Sequence, residues 1–564
     1  MKKPSSSDVE ARTLSRRTFL GGAVAASALV AGEVDAKEPT FRRAAASESG
    51  SQRTRRPFEL EEATLVDLQR AMQAGKQTAQ SLTELYLARI KELDRSGELP
   101  LNSVIELNPE ALALATALDS ERKLQGARGP LHGVPVLLKD NIGTADKLQT
   151  TAGSLALVGA VPTRDAFLVE RLRTAGAVIL GKTNLSEWAN FRSTRSTSGW
   201  SGRGGQCRNP YALDRTPSGS SSGSGVATAA NLCAVSVGTE TDGSIVSPAA
   251  ACSLVGIKPT VGLVSRSGII PLSHTQDTAG PMARTVADAA ALLGVLAGVD
   301  PRDPTTAAAQ GHLAADYTRF LDGDGLKGAR IGVPRERLFG YHPATDRLVE
   351  EALSLMASRG AVLVDPVSLP TLAKLDEPEQ VVLLYEFKAD LETYLSGLGA
   401  ASSVRTLADL IRFNSAHADQ ELAYFGQELL IQAQAKGPLT DKAYRKALET
   451  CRSLSRERGI DEVMAKHKLD ALVAPTQGPP GLIDLVMGDH WLGGSSTLAA
   501  VAGYPSITVP AGYVQGLPVG ISFFGRTWSE PTLLRLAYAF EQATHHRRPP
   551  AFVPTAELRP PGGA

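Results

Sequence analysis

The sequence predicts an α/β protein whose sheet is covered by helices, and two observations carry that reading. Eight short apolar runs are each bounded by Gly, Pro or charge, and helical stretches lie between most of them, the alternation expected of strands covered by helices. The chain can also supply the core: 564 residues with 43% hydrophobic side chains suit one large catalytic domain or a few ordinary ones.

In chain order, folding is expected to begin near Pro57 with helices. Ser81-Leu82-Thr83-Glu84 reads as a capping box, and Leu82, Leu85, Ile90 and Leu93 then recur at helical spacing. Strands are expected at Val134 to Leu138, Ala177 to Leu180, Cys233 to Val237, Arg330 to Val333, Ala361 to Val364, Ala471 to Ala474, Ser506 to Val509 and Val519 to Phe524. Helices are expected at Asp165 to Ala175, Val286 to Gly298 and Thr345 to Arg359. From about Pro370 to Arg458 the pattern is helical without strand signals, as in an insertion that shapes a substrate pocket. No internal repeat or coiled coil is present.

Basic and acidic residues balance at 59 each, which argues against nucleic acid, an anionic membrane or a polyanionic substrate as partner. Cys207, Cys233, Cys252 and Cys451 have neither disulfide-scaffold density nor C-x-x-C spacing. They read as small buried residues, with one bridge left open. The histidines are scattered, and His545-His546 beside Arg547 and Arg548 is not a ligand pattern, so neither metal nor cofactor is expected.

Residues 1–36 read as an address. A polar stretch leads to Ser15-Arg16-Arg17-Thr18-Phe19-Leu20, then to the small, apolar run GGAVAASALVAG, and the whole resembles a twin-arginine signal. The apolar run is shorter than the ~20 residues that span a bilayer, and Val34-Asp35-Ala36 offers a cleavage site. The resemblance implies the twin-arginine export machinery as a partner, a periplasmic or secreted product, no stable membrane anchor, and a fold that does not depend on disulfides. Residues 37–56 are expected to be a disordered spacer and 556–564 a disordered tail, with the folded domain spanning 57–555.

Three motif matches fail on context. Gly176-Ala-Val-Ile-Leu-Gly181-Lys182-Thr183 fits the phosphate-cradling G-x-x-x-x-G-K-T, but its four middle residues read as a buried strand where a flexible loop is required. Ser120-Glu121-Arg122-Lys123 fits S-x-x-K, yet lies in a charged helical stretch without the companion motifs. Gly219-Ser220-Ser221-Ser222-Gly223 fits the G-x-S-x-G nucleophile elbow, but the two prolines and absent apolar alternation before it leave no strand to deliver Ser221.

The text from Gly219 to Ala250 is nevertheless no linker. A Ser-rich loop runs into a helix of small residues, then an apolar strand, then the turn Thr239-Glu-Thr-Asp-Gly243, which presents Ser244. Upstream, Gly133-Val-Pro-Val-Leu-Leu-Lys139-Asp-Asn141 places Lys139 at the end of an apolar strand. Together these segments resemble the amidase signature family over about Pro57 to Pro550. TETDGSIV, GKTNLSEWANF, TQDTAGPMARTVADAA and LLYEFKADLE are most similar to its bacterial peptide amidases, which remove the C-terminal amide of peptides.

The resemblance implies a single large amidase-signature domain with a mixed central sheet covered by helices on both sides. It implies Ser244 as nucleophile, Ser220 in a cis peptide as relay and neutral Lys139 as base. The backbone N–H groups of Thr241, Asp242, Gly243 and Ser244 would form the oxyanion hole. Asp242 and Val246 depart from the family's usual glycine and arginine, and the Asp242 carboxylate is expected to turn away from a developing oxyanion. Asn190, Phe191 and Tyr385-Glu386-Phe387 are candidates for the pocket wall or for ordinary packing. Peptide amides lead as substrates over aliphatic, aryl or cyclic amides. The alternatives are an inactive exported binding protein and one component of a transfer-RNA amidotransferase.

Overall fold

The computed structural model describes residues 58–398 and 402–558. The signal, the spacer and most of the expected tail lie outside the described residues. Thirteen strands are present among the latter: β1 Val104–Leu107, β2 Pro135–Lys139, β3 Val178–Thr183, β4 Trp200–Ser201, β5 Gly205–Gln206, β6 Val235–Glu240, β7 Val255–Lys258, β8 Thr278–Ala283, β9 Arg330–Gly332, β10 Val362–Val364, β11 Ala471–Pro475, β12 Ser506–Val514 and β13 Leu517–Phe524. Eleven of them make one sheet in the order β1-β3-β2-β6-β8-β7-β12-β13-β11-β9-β10, while β4 and β5 pair separately.

The large sheet is mixed. β3-β2-β6 and β11-β9-β10 are parallel runs, and the pairs joining them through β8, β7, β12 and β13 are antiparallel. Every residue of β2, β3, β6, β11 and β13 is buried, which is why these strands read as continuous apolar runs and not as alternating ones. The three expected strand-linking helices form at Phe167–Thr174, Val286–Leu296 and Pro343–Ser358. Between Leu372 and Ile460 the described residues form helices and no strand, the longest helix being Asp376–Gly397. No helix among the described residues is long and apolar enough to cross a membrane.

One local reading is corrected. The helix carrying Leu82 and Ile90 is Ala79–Leu93, and its N-cap is Thr78, whose side chain accepts the Ser81 N–H while Ser81 Oγ accepts the Thr78 N–H. The box therefore starts three residues before the expected one, because Ser81 answers the cap instead of providing it; Glu84 accepts from Gln80 Nε2. All four cysteines are free and buried.

Candidate active site

β2 and β6 are parallel neighbours with Leu138 opposite Val237, so their carboxyl ends bring Lys139 and Thr239 to the same edge of the sheet. Ligands of open α/β sheets bind beyond such ends. Lys139 Nζ lies 2.7 Å from Ser220 Oγ, 2.9 Å from Thr239 Oγ1 and 3.2 Å from the Thr239 carbonyl oxygen. The lysine is wholly buried. Burial brings its pKa down to about 7, against the opposing pull of Asp277 and Glu240.

The Gly219–Ser220 peptide is cis. The loop around it is pinned on three sides. Ser186 N–H donates to the Ser220 carbonyl at 3.1 Å and Ser221 N–H to the Ser244 carbonyl at 3.1 Å. Ser221 Oγ donates to the Thr239 carbonyl at 3.0 Å and accepts the Thr239 N–H at 3.1 Å. The helix Ser222–Ala229 that follows is buried along its whole length, which its small side chains permit. A Cβ at Gly223 would come within 2.3 Å of the Ser103 carbonyl oxygen and 2.5 Å of that of Asn184, so only glycine lets this helix start where it does.

The turn bearing Ser244 is organised by the residue before it. Glu240 is buried at the end of β6, and its Oε2 accepts the N–H groups of Ile245 at 2.7 Å and Val246 at 3.0 Å. Among the described residues, none of the N–H groups of Thr241, Asp242, Gly243 and Ser244 donates to another protein group. Gly243 adopts φ +80°, a conformation that favours glycine. The buried Asp242 carboxylate accepts from Thr497 Oγ1 at 2.8 Å, at the start of the helix Ser496–Ala502, where a negative charge is favoured. Burial raises the pKa of Asp242 and of Glu240 above the usual carboxylate range.

A cavity of about 370 Å³ borders this arrangement at Asn141, Thr239, Thr241 and Asp277. Asn141 Nδ2 donates to Thr239 Oγ1 at 2.9 Å, and Thr241 Oγ1 donates to Asp277 at 2.6 Å. Burial pushes Asp277 up to about 6, opposed by that hydroxyl and by the N–H groups of Leu272 and Ser273. Asn141, Thr239, Glu240, Asp277 and Thr497 were not singled out as individual site residues by sequence reasoning. Asn141, Thr239, Glu240 and Asp277 stand inside recognised segments, while Thr497 reaches the site only through tertiary folding.

The candidate pocket residues Asn190, Phe191, Tyr385, Glu386 and Phe387 are absent from the cavity wall, which their neighbours Ala189, Asp390 and Tyr394 line instead. Phe191 and Phe387 pack on each other with ring centroids 5.3 Å apart, and Glu386 accepts from Ser273 and Tyr444 hydroxyls. They support the wall from behind. Among the described residues His274, Glu386 and Asp390 have metal-ligating chemistry, their atoms within 4.8 Å, but Ser273, Thr275 and Tyr444 already hydrogen-bond to the Glu386 oxygens. The decoy motifs resolve as structure. Lys182 lies inside the buried strand β3, and Ser120 lies on the helix Ala111–Gln125 with its hydroxyl on the Thr116 carbonyl.

The amidase family model matches residues 81–534. A probable amidase of Arabidopsis thaliana is 46% identical over 505 residues, covering 88% of this chain and 93% of the plant protein. A putative amidase of Schizosaccharomyces pombe is 36% identical over 519 residues, covering 87% of each chain. The solved native peptide amidase of Stenotrophomonas maltophilia superposes with a TM-score of 0.84 at 55% identity, covering 88% of this chain and all of that one. The chain belongs to the amidase signature family and is an amidase, a hydrolase acting on amides.

Proposed function

We propose that the protein hydrolyses the C-terminal amide of peptides to the free acid and ammonia through an acyl-enzyme on Ser244. The observation that carries this reading is the buried Lys139 amine 2.7 Å from Ser220 Oγ, with a pKa brought near neutrality. In the neutral form the amine accepts the Ser220 proton while Ser220 takes that of Ser244, whose oxygen bonds to the carbonyl carbon. The tetrahedral oxyanion is held by the N–H groups of residues 241–244, each such donor typically worth ~3 kcal/mol. Returning the proton through Ser220 to the departing nitrogen releases ammonia. Water then repeats the relay on the ester, freeing the acid and Ser244.

The peptide substrate is supported by the likeness to the Stenotrophomonas peptide amidase. The twin-arginine-like segment supports export as a folded protein to the periplasm or beyond. Ammonia release from a panel of peptide, aliphatic and aryl amides tests the function, and preference for either of the latter two would overturn the substrate. Replacing Arg16 and Arg17 by Lys and following the protein to the periplasm tests export; unchanged delivery would overturn it.

A further inference from the structure

The chain between Thr476 and Ser495 has only isolated bridges and forms an arch whose two ends are tied to the segments around Ser220 and Ser244. At one foot Gln477 Nε2 donates to the Ser247 carbonyl at 3.1 Å and Gln477 Oε1 accepts from Ser218 Oγ at 3.3 Å. At the other, Thr497 holds Asp242 at 2.8 Å, and Gln477 and Gly494 bridge the two feet. The arch is fastened along its length. Thr197 Oγ1 donates to the Asp484 carbonyl at 2.7 Å, Ser198 N–H to Asp489 at 3.0 Å and Thr216 N–H to the Gly481 carbonyl at 2.9 Å.

A segment so well anchored nonetheless shows large apolar side chains to water. Trp491 is 56% exposed and Leu492 51%, with Leu482, Val486 and Met487 exposed on the same arch. Trp491, Leu492, Pro479 and Pro480 line a cleft that also contains Ser218, two residues before Ser220. Exposed apolar clusters of this kind mark binding surfaces. This one is continuous with the serine loop, and a carboxamide whose carbon meets the buried Ser244 must project the rest of its acyl chain outward.

We propose that Trp491 and Leu492 recognise an apolar side chain on the residue whose carboxamide is cleaved; the inference rests on the peptide-amide reading. The occupant is the acyl part of the substrate, and the arch sets preference among peptide amides without touching the proton relay.

The test compares glycyl-phenylalaninamide with glycyl-glycinamide for the wild-type enzyme, Trp491→Ala, Trp491→Phe and Leu492→Ala, with oligomeric state followed by light scattering. The ratio of kcat/KM for the aromatic over the glycine substrate is expected to fall about tenfold in Trp491→Ala, mainly through KM. Trp491→Phe should restore most of it, and Leu492→Ala should give a smaller fall. An unchanged ratio overturns the inference and leaves the peptide-amide reading standing, as does a variant that changes self-association alone. No ammonia from either peptide with the wild-type enzyme removes that reading, and this inference with it.

Discussion

Lys139 and Lys182 lie on the neighbouring parallel strands β2 and β3, where Leu138 is opposite Lys182 and Lys139 opposite Thr183. Both are wholly buried, and burial lowers both, to about 7 and about 8. Their partners differ. Lys182 Nζ donates to the Ile142 carbonyl at 2.6 Å and Thr150 Oγ1 at 2.8 Å, with Asp140 as the largest opposing charge. Asp140 itself pairs with Arg203 at 3.4 Å, and both hydrogen-bond partners of Lys182 are fixed structural acceptors. Lys139 faces the hydroxyls of Ser220 and Thr239, and its carboxylate neighbours Asp277 and Glu240 are engaged by N–H donors. Burial makes a lysine easy to deprotonate; a hydroxyl able to pass a proton onward is what makes it a base.

The contrast can be broken by experiment, beginning with the serine that needs the base. Ser244→Ala should lower turnover by ~10⁴-fold or more while the circular dichroism stays native. Retained activity would place the nucleophile elsewhere. Lys139→Ala should cost ~10³-fold or more in kcat/KM, whereas Lys182→Met should stay within ~10-fold of wild type per folded molecule. The second change should instead appear in denaturant melts, as a loss of about 1–3 kcal/mol, since the Ile142 carbonyl and the Thr150 hydroxyl lose their buried donor. Equal activity losses in the two variants would erase the distinction.

A pH profile sharpens it. A lysine whose pKa is lowered to about 7 is protonated below that pH and neutral above, so kcat/KM should climb through about pH 7. An acid limb centred well above 9 would mean that Lys139 is not the group observed. The smallest expected effect is that of Thr239→Val, which removes a hydroxyl accepting from both Lys139 and Asn141. Losing that acceptor disfavours the ammonium, so the acid limb should move to lower pH with only a severalfold loss of rate.

Much of this fold is legible in the sequence because several of its strands are unbroken runs of apolar residues. All eight expected strands form, and the runs around Val136, Ile179 and Val473 are uninterrupted by polar residues. The strands that escaped notice lack that signature. β8 is Thr-Ala-Gly-Pro-Met-Ala, with Gly280 and Pro281 at its centre, and β7 is only Val-Gly-Ile-Lys, interrupted by Gly256 and separated by three residues from the helix that ends at Ala251. At the site, Lys139 and Ser220 could be read as motif residues, and the structure places them in contact. Asp277, 33 residues beyond Ser244, stands in the recognised segment TQDTAGPMARTVADAA without a role assigned to it, and Thr497, 253 residues beyond, has nothing local to mark it. Of the two readings open for Tyr385 to Phe387, packing is the one the structure shows, with Tyr385 and Phe387 in buried apolar clusters, while Asp390, Thr393 and Tyr394 further along the helix face the cavity.

The four free cysteines have a practical consequence. All are buried, and burial raises their thiols, Cys233 to about 11 and Cys451 to about 12, so almost no thiolate exists at neutral pH. A thiol-reactive dye therefore stays dark on the closed molecule and labels it only when part of the chain opens. Cys233 and Cys252 flank the strand-and-turn bearing Ser244, while Cys451 lies in the helical segment. Peptide mapping of the labelled sites during mild heating would time the opening of these two parts separately, with no engineered probe.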